Sequence, residues 1–192
     1  MTTIVIAEDE AIIRLDLREM LEEEGYSVVG EAGRGDQAVE LVRNLKPDVV
    51  ILDVKMPGMD GIEAAKRISA EGICAVLMLT AFSQREVVEQ ARDAGALAYL
   101  VKPFQKTDLV PAIELAIGRF AETKALVAEV SELTERLEVR KLIDRAKGML
   151  IDAHGMKESE AFSFIQKSAM AKRASMRSIA ESVLKGETAP SQ

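Results

Sequence analysis

This chain of 192 residues has a single cysteine and lacks long apolar runs, and each of these features excludes a class of protein. The single cysteine, Cys74, cannot form an internal disulfide, so a disulfide-rich secreted scaffold is excluded and a reducing compartment is favoured. No apolar run approaches the about 20 residues that span a bilayer, and no N-terminal stretch has the pattern of a signal peptide. These features predict a cytoplasmic protein without a membrane partner.

Charge is distributed unevenly along the chain. Residues 1–120 carry 13 Lys and Arg against 21 Asp and Glu, a net charge of −8, whereas residues 121–192 carry 12 against 11. Within the second part, residues 136–185 carry 11 basic and 6 acidic side chains, a net charge of +5. An acidic front and a mildly basic back predict two modules with different partners.

Five short apolar runs recur in the first 120 residues, with amphipathic segments between them. Most lack the alternation that marks a strand with one wet face, so they are predicted to be parallel strands covered on both faces. The segment at 11–25 is typical of the intervening helices. This repeat predicts a doubly wound α/β domain. The runs are TIVIA (3–7), SVVGE (27–31), VVILD (49–53), AVLML (75–79) and AYLV (98–101).

Reactive side chains follow these strands at the sheet edge where such folds bind ligands. Three carboxylates at one edge would repel one another, and Mg²⁺ relieves that repulsion because it prefers carboxylate, water and phosphate oxygens. Carboxylates are also recognised nucleophiles toward phosphoryl groups. The pattern predicts phosphoryl transfer to Asp53, which closes the third strand. The other strand ends supply Glu8, Asp9, Thr80 and Lys102.

The alternative for the acidic residues is a purely structural one. Glu8 and Asp9 could serve only to start the first helix. Four strand ends that together supply acids, a hydroxyl and an ammonium favour the chemical interpretation. The chain has no glycine-rich phosphate loop and no GxGxxG motif, which disfavours nucleotide binding.

The motifs IAEDE (6–10), ILDVKMPGMDG (51–61), MLTAF (78–82) and AYLVKPF (98–104) resemble the receiver domain of two-component response regulators. The resemblance covers residues 1–120 and implies a flavodoxin-like (βα)5 fold. It implies that Asp53 accepts phosphate from a sensor histidine kinase. It further implies that Asp9 binds Mg²⁺ directly and Glu8 through water, with the Lys55 backbone carbonyl completing the protein ligands.

The same resemblance assigns the remaining residues of the receiver motifs. Thr80 and Tyr99 would form a switch pair, in which the phosphoryl group attracts the Thr80 hydroxyl and Tyr99 turns into the vacated space. Lys102 would contact the acyl phosphate. The family typically has a cis peptide bond at the position of Lys102–Pro103.

The strand pattern stops after residue 107, and a helical pattern begins. Four apolar residues spaced 4, 3 and 4 apart form a short heptad seam. This seam could pair two subunits as a homodimer through residues 120–137, or it could pack on its own domain. We expect a helical linker at 121–135. The seam residues are Leu126, Val130, Leu133 and Leu137.

The remainder predicts three helices, at about 134–152, 158–170 and 176–185. Arg136, Arg140 and Lys147 share one face of the first helix, while Met149 is expected on its apolar face. Phe162 is expected to point inward from the second helix. The third helix is short and poor in exposed base-reading side chains, which disfavours a DNA-binding helix-turn-helix.

The segments LEVRKLIDRAKGMLI (137–151), EAFSFIQKSAM (160–170) and SMRSIAESVL (175–184) resemble the ANTAR domain, an RNA-binding antiterminator module. The resemblance implies an all-α RNA-binding domain at 136–186, followed by a disordered tail at 187–192. RNA stem-loops would be its ligands. RNA contacts are expected from Arg136, Arg140, Lys147, Gly148, Lys172 and Arg173.

The sequence thus predicts a phosphorylation-controlled, RNA-binding transcription antiterminator. The alternative is a receiver whose helical module mediates protein pairing without nucleic acid. An enzyme of phosphatase type, working through an aspartyl phosphate, ranks below both because no separate substrate pocket is indicated.

Overall fold

The structure is a computed structural model that describes residues 1–81 and 85–189. Phe82, the last residue of the MLTAF motif, and residues 190–192 of the predicted tail lie outside the described residues. The chain divides into two compact units, Met1–Ala125 and Leu126–Gln192. No helix in the described residues is long and apolar enough to cross a membrane.

The first unit is a five-stranded parallel sheet in the order β2-β1-β3-β4-β5, with helices between the strands. This confirms the flavodoxin-like receiver fold. Its elements are β1 (Thr3–Ala7), α1 (Ala11–Glu23), β2 (Ser27–Ala32), α2 (Gly35–Leu45), β3 (Val49–Asp53), α3 (Gly61–Glu71), β4 (Ala75–Thr80), α4 (Arg85–Asp93), β5 (Ala98–Val101) and the first part of α5 (Lys106–His154).

Alternate residues of the central strands supply two separate hydrophobic clusters. In β3, Val50 and Leu52 belong to the cluster that contains α2 and α3 residues, whereas Val49 and Ile51 belong to the one that contains α1 and α5 residues. All five residues of β3 are buried. The continuous apolar runs of the sequence therefore reflect burial on both faces of the sheet.

The second unit combines the C-terminal part of α5 with α6 (Glu158–Lys172) and α7 (Met176–Leu184). The three predicted helices are confirmed, and the first is continuous with the last receiver helix. The core of the second unit contains, among others, Ala146 and Leu150 of α5, Ala161 and Ile165 of α6, and Ile179 of α7. Helix α6 begins with the Glu160 carboxylate accepting a hydrogen bond from the Lys157 backbone at 2.8 Å.

Candidate functional site: an acidic pocket at the sheet edge

The carboxyl ends of β1, β3, β4 and β5 meet at one edge of the sheet. Glu8 follows β1, Asp53 ends β3, Thr80 ends β4 and Lys102 follows β5. Because these four strands are adjacent and parallel, their ends lie side by side. This is the edge at which ligands bind in open α/β sheets.

Glu8, Asp9 and Asp53 form an acidic cluster, in which one carboxylate oxygen from each lies within 4.8 Å of the others. Glu8 is fully buried and Asp53 is 6% exposed, whereas Asp9 is exposed. Three hard oxygen donors at this separation fit Mg²⁺. The cluster borders a cavity of about 210 Å³ whose other lining residues are Glu10, Val54, Lys55, Ala81 and Lys102.

The ammonium of Lys102 bridges the two buried carboxylates. Its Nζ atom lies 2.7 Å from Asp53 Oδ1 and 2.5 Å from Glu8 Oε2. Burial raises the pKa of the Glu8 carboxyl, and the hydrogen bond from Lys102 opposes that rise only in part. Burial alone would lower the pKa of Lys102, but hydrogen bonds with Asp53 and Glu8 outweigh it and raise that pKa. Lys102 therefore stays charged at neutral pH.

The backbone around Asp53 is closely packed. The Lys55 amide donates a hydrogen bond to Asp53 Oδ2 at 3.0 Å, so this carboxylate is held at both oxygens. A Cβ at Gly61 would lie 1.9 Å from the Asp53 carbonyl oxygen, and the Gly61 amide donates to Val54 O at 3.0 Å. Only glycine fits at position 61, because any side chain would displace the backbone that carries Asp53.

Two residues beside the pocket were not identified from the sequence. Arg14 Nη1 donates to the Glu8 carbonyl at 2.6 Å, and the Glu10 amide donates to Glu8 Oε1 at 3.3 Å. Both fix the segment that carries Glu8. Arg14 lies one turn into an amphipathic helix, where a solvated arginine is common. Its position in the sequence therefore did not indicate a contact with Glu8.

Thr80 and Tyr99, the predicted switch pair, lie on neighbouring strands. Thr80 is 2% exposed, whereas Tyr99 is 50% exposed and pairs in register with Met78. Tyr99 lines a second cavity of about 320 Å³, together with residues of α4, β5 and α5 that include Leu115 and Arg119. The Lys102–Pro103 bond is cis, as the receiver resemblance implies.

The predicted RNA-contacting residues of the second unit have different surroundings. Lys147 is 15% exposed in its side chain, and its ammonium pairs with Asp144 and Glu158, both at 2.8 Å. Arg136 pairs with Glu132 at 2.6 Å on the exposed surface. The remaining residues are Arg140, which is exposed, Gly148, which is half-buried, and Lys172 and Arg173, which are exposed and adjacent where α6 ends.

Phe162 was predicted to point toward the core of this unit and Met149 to lie on an apolar face, and both predictions were wrong. Phe162 is 43% exposed and Met149 is 41% exposed. Both lie at the border of the apolar face of their helix, where helical periodicity gives a direction but not the extent of the covering helix. The second aromatic of α6, Phe164, packs against the core instead.

A family model for the response regulator receiver domain matches residues 4–114, and a model for the ANTAR domain matches residues 131–184. The chain belongs to the response regulators. It is 61% identical over 181 residues to the transcriptional regulatory protein PdtaR of Mycobacterium tuberculosis, covering 94% of this chain and 88% of that protein. It is also 39% identical over 111 residues to the chemotaxis protein CheY of Thermotoga maritima, covering 57% of this chain and 92% of that one.

Solved structures resemble the receiver unit of this response regulator. The signal receiver domain of a modulated diguanylate cyclase from Desulfovibrio desulfuricans matches with a TM-score of 0.60 and 30% identity, covering 64% of this chain and 98% of that one. A CheX–CheY–BeF3–Mg²⁺ complex from Borrelia burgdorferi matches with a TM-score of 0.56 and 25% identity, covering 58% and 86%.

Proposed function

We propose that this response regulator accepts a phosphoryl group on Asp53 from a sensor histidine kinase and binds RNA hairpins as a transcription antiterminator. The observation that supports the first step is the convergence of Glu8, Asp9, Asp53 and Lys102 at one pocket. The second step rests on the ANTAR match and on the relative named a transcriptional regulatory protein.

The chain's own residues prepare Asp53 for the transfer. An Asp53 carboxylate oxygen forms the new P–O bond while the P–N bond to the donor histidine breaks, its electron pair returning to the imidazole. Lys55 N–H and Lys102 hold the carboxylate before transfer, and Lys102 then pairs with the phosphoryl oxygens. Mg²⁺, when bound by Glu8, Asp9 and Asp53 with the Lys55 carbonyl, would supply positive charge beside those oxygens.

Transfer of phosphate would be read by Thr80 and Tyr99. The buried Thr80 hydroxyl moves toward the phosphoryl group, and the half-exposed Tyr99 ring turns inward. A transition of this kind shifts an existing equilibrium and changes the surface around α4, β5 and α5. Domain limits at 120, 135 and 186 stay predictions, as does the cytoplasmic location.

Phosphorylation at Asp53 is tested by incubating the chain with a small acyl phosphate and Mg²⁺ and measuring intact mass. Wild type should gain one phosphoryl group and Asp53→Asn none. Asp60→Asn is the matched control, because Asp60 lies on the same loop but caps α3 through the Glu63 amide at 2.8 Å. Phosphorylation of Asp53→Asn at the wild-type level would overturn the assignment.

RNA binding is tested by gel shift of the full chain with a library of tandem hairpins, with and without phosphorylation. A shift that strengthens on phosphorylation is expected. No shift in either state would favour the pairing-module alternative. That alternative has its own support, because Leu126, Val130, Leu133 and Leu137 are 62%, 62%, 51% and 57% exposed within the chain. A homodimer through residues 120–137 would cover them.

A further inference from the structure

One side of α6 presents an aromatic ring to solvent. Phe162 is 43% exposed, whereas Phe104, Phe120 and Phe164 pack against hydrophobic clusters. The neighbouring Ala161 is fully buried. The Phe162 ring is therefore accessible to a ligand, next to a residue of the core.

Phe162 begins a stripe of exposed side chains along α6. Phe162, Gln166 and Met170 follow one another at spacings of four residues, which places them on one face of the helix. Met170 is 71% exposed, and Gln166 is also exposed. Arg173, an exposed residue, caps the same helix at its C-terminal end. We call these four residues the α6 stripe.

The chemistry of the α6 stripe suits nucleic-acid bases. The side chains of Gln166 and Arg173 form no hydrogen bond or ion pair with any residue in the part of the chain that the structure describes. The Gln166 amide and the Arg173 guanidinium are therefore available to base edges, and the Phe162 ring offers a flat stacking surface. Phe162 to Met170 spans about 12 Å at 1.5 Å per residue. Successive bases of one strand rise by about 3.4 Å, so the stripe can meet several.

The charge nearby favours RNA over an apolar protein partner. Residues 136–185 have 11 basic and 6 acidic side chains. Lys172 lies beside Arg173 at the end of the α6 stripe, where its ammonium can contact phosphates flanking a bound base. Lys147, by contrast, is neutralised by Asp144 and Glu158. Lys172 therefore places an exposed positive charge next to the stripe.

We propose that the α6 stripe reads unpaired bases in the loop of an RNA hairpin. The Phe162 ring stacks on one base, and Gln166 and Arg173 hydrogen-bond to base edges. This inference rests on the proposed RNA binding and names the residues of the second unit that contact the loop.

The test uses the full chain treated with Mg²⁺ and BeF3⁻. RNA is selected from a pool of tandem hairpins with fixed stems and randomised loops. Dissociation constants are then measured for the selected RNA and for the same stems with abasic loops. Phe162→Ala should weaken binding to the selected RNA by about 5- to 150-fold, the range of base–aromatic stacking. Phe162→Tyr should stay within about threefold of wild type, because it retains the ring.

Three controls make the result specific. Met149→Ala removes an apolar side chain of similar exposure outside the stripe and should leave affinity unchanged. The abasic RNA should bind wild type and Phe162→Ala equally. If Phe162→Ala fails to fold, as judged by circular dichroism, Phe162→Met replaces it, because it keeps an apolar side chain without the ring.

Each remaining outcome overturns the proposal in a distinguishable way. Wild-type affinity of Phe162→Ala or Phe162→Met for the selected RNA would refute the stripe while leaving RNA binding intact. Unchanged RNA affinity with a shifted monomer–dimer equilibrium in sedimentation would assign Phe162 to a protein interface. Failure of wild type to select any RNA would remove the stripe proposal together with the proposed RNA binding.

Discussion

Lys102 Nζ lies 2.7 Å from Asp53 Oδ1, although the two residues come from different strand ends. The same atom contacts the fully buried Glu8 at 2.5 Å. The pocket is therefore held by a cation of the chain itself. This cation would share the carboxylates with any bound divalent ion, so we expect Lys102 to influence both stability and metal affinity.

Replacing Lys102 by Gln should destabilise the first unit and tighten Mg²⁺ binding. Removing one partner of a buried ion pair typically costs about 3 kcal/mol, because the remaining charges are left uncompensated. The same uncompensated carboxylates should attract Mg²⁺ more strongly. Urea unfolding without metal and Mg²⁺ titration would measure the two effects. Lys106→Gln is the control: it removes exposed pairs with Glu23 and Glu24, and should change both quantities less. Equal effects of the two variants would contradict the role of Lys102.

Gly61→Ala should impair phosphoryl acceptance and lower stability. The added Cβ would lie 1.9 Å from the Asp53 carbonyl oxygen, so the backbone must shift, at a cost of about 1–3 kcal/mol. Gly118→Ala is the matched control, because among the described residues no side chain, and no backbone beyond its own turn of helix α5, lies within 4 Å of the added Cβ. It should stabilise by about 0.5–1 kcal/mol. Thermal unfolding would measure the stability of each variant, and intact mass after acyl phosphate treatment would measure its phosphorylation. Wild-type stability and phosphorylation of Gly61→Ala would contradict the prediction.

Arg140→Ala should change RNA affinity directly, whereas Lys147→Ala should mainly lower the stability of the second unit. Arg140 is exposed, so its loss should reduce the salt dependence of RNA affinity by about one released counterion. Lys147 pairs with Asp144 and Glu158 and joins α5 to the start of α6, so its loss should mainly lower the melting temperature. Affinities measured across a salt series would separate the two. A flattened salt dependence in a stable Lys147→Ala protein would instead place Lys147 against RNA.

Leu133→Glu should disrupt self-association if the heptad seam pairs two chains. Leu133 is 51% exposed, and a charge at this seam position would be buried without a partner in a homodimer. Sedimentation equilibrium with and without phosphorylation would measure the change. Ala128→Glu changes an exposed residue of the same helix outside the seam and should leave association unchanged. Identical association of wild type and Leu133→Glu would exclude the seam as an interface.

The Cys74 thiol should resist modification in the folded protein. Burial raises its pKa to about 12, so the reactive thiolate is scarce until the pH approaches that value. Cys74 is also only 2% exposed, which limits the access of reagents to its thiol. A maleimide at pH 8 should label urea-unfolded protein rapidly and native protein slowly. Cys74→Ala corrects for labelling elsewhere, and rapid native labelling would show that this part of the core opens readily.

The sequence by itself determined the order of strands and helices along the chain. It also determined that Glu8, Asp53, Thr80 and Lys102 lie at strand ends. This was possible because apolar runs and helical periodicity are local patterns, and because parallel strands end at a common edge. The three C-terminal helices followed from the same local patterns.

Only the tertiary structure decided which groups touch across the chain. Lys102 and Glu8 are 94 residues apart, and no spacing rule gives the bridge that one ammonium forms between Glu8 and Asp53. The contact of Lys147 with Glu158 and the exposure of Phe162 were likewise decided by how neighbouring helices pack. Periodicity gives the direction in which a side chain points from its own helix, but how far a neighbouring helix covers it depends on three-dimensional packing.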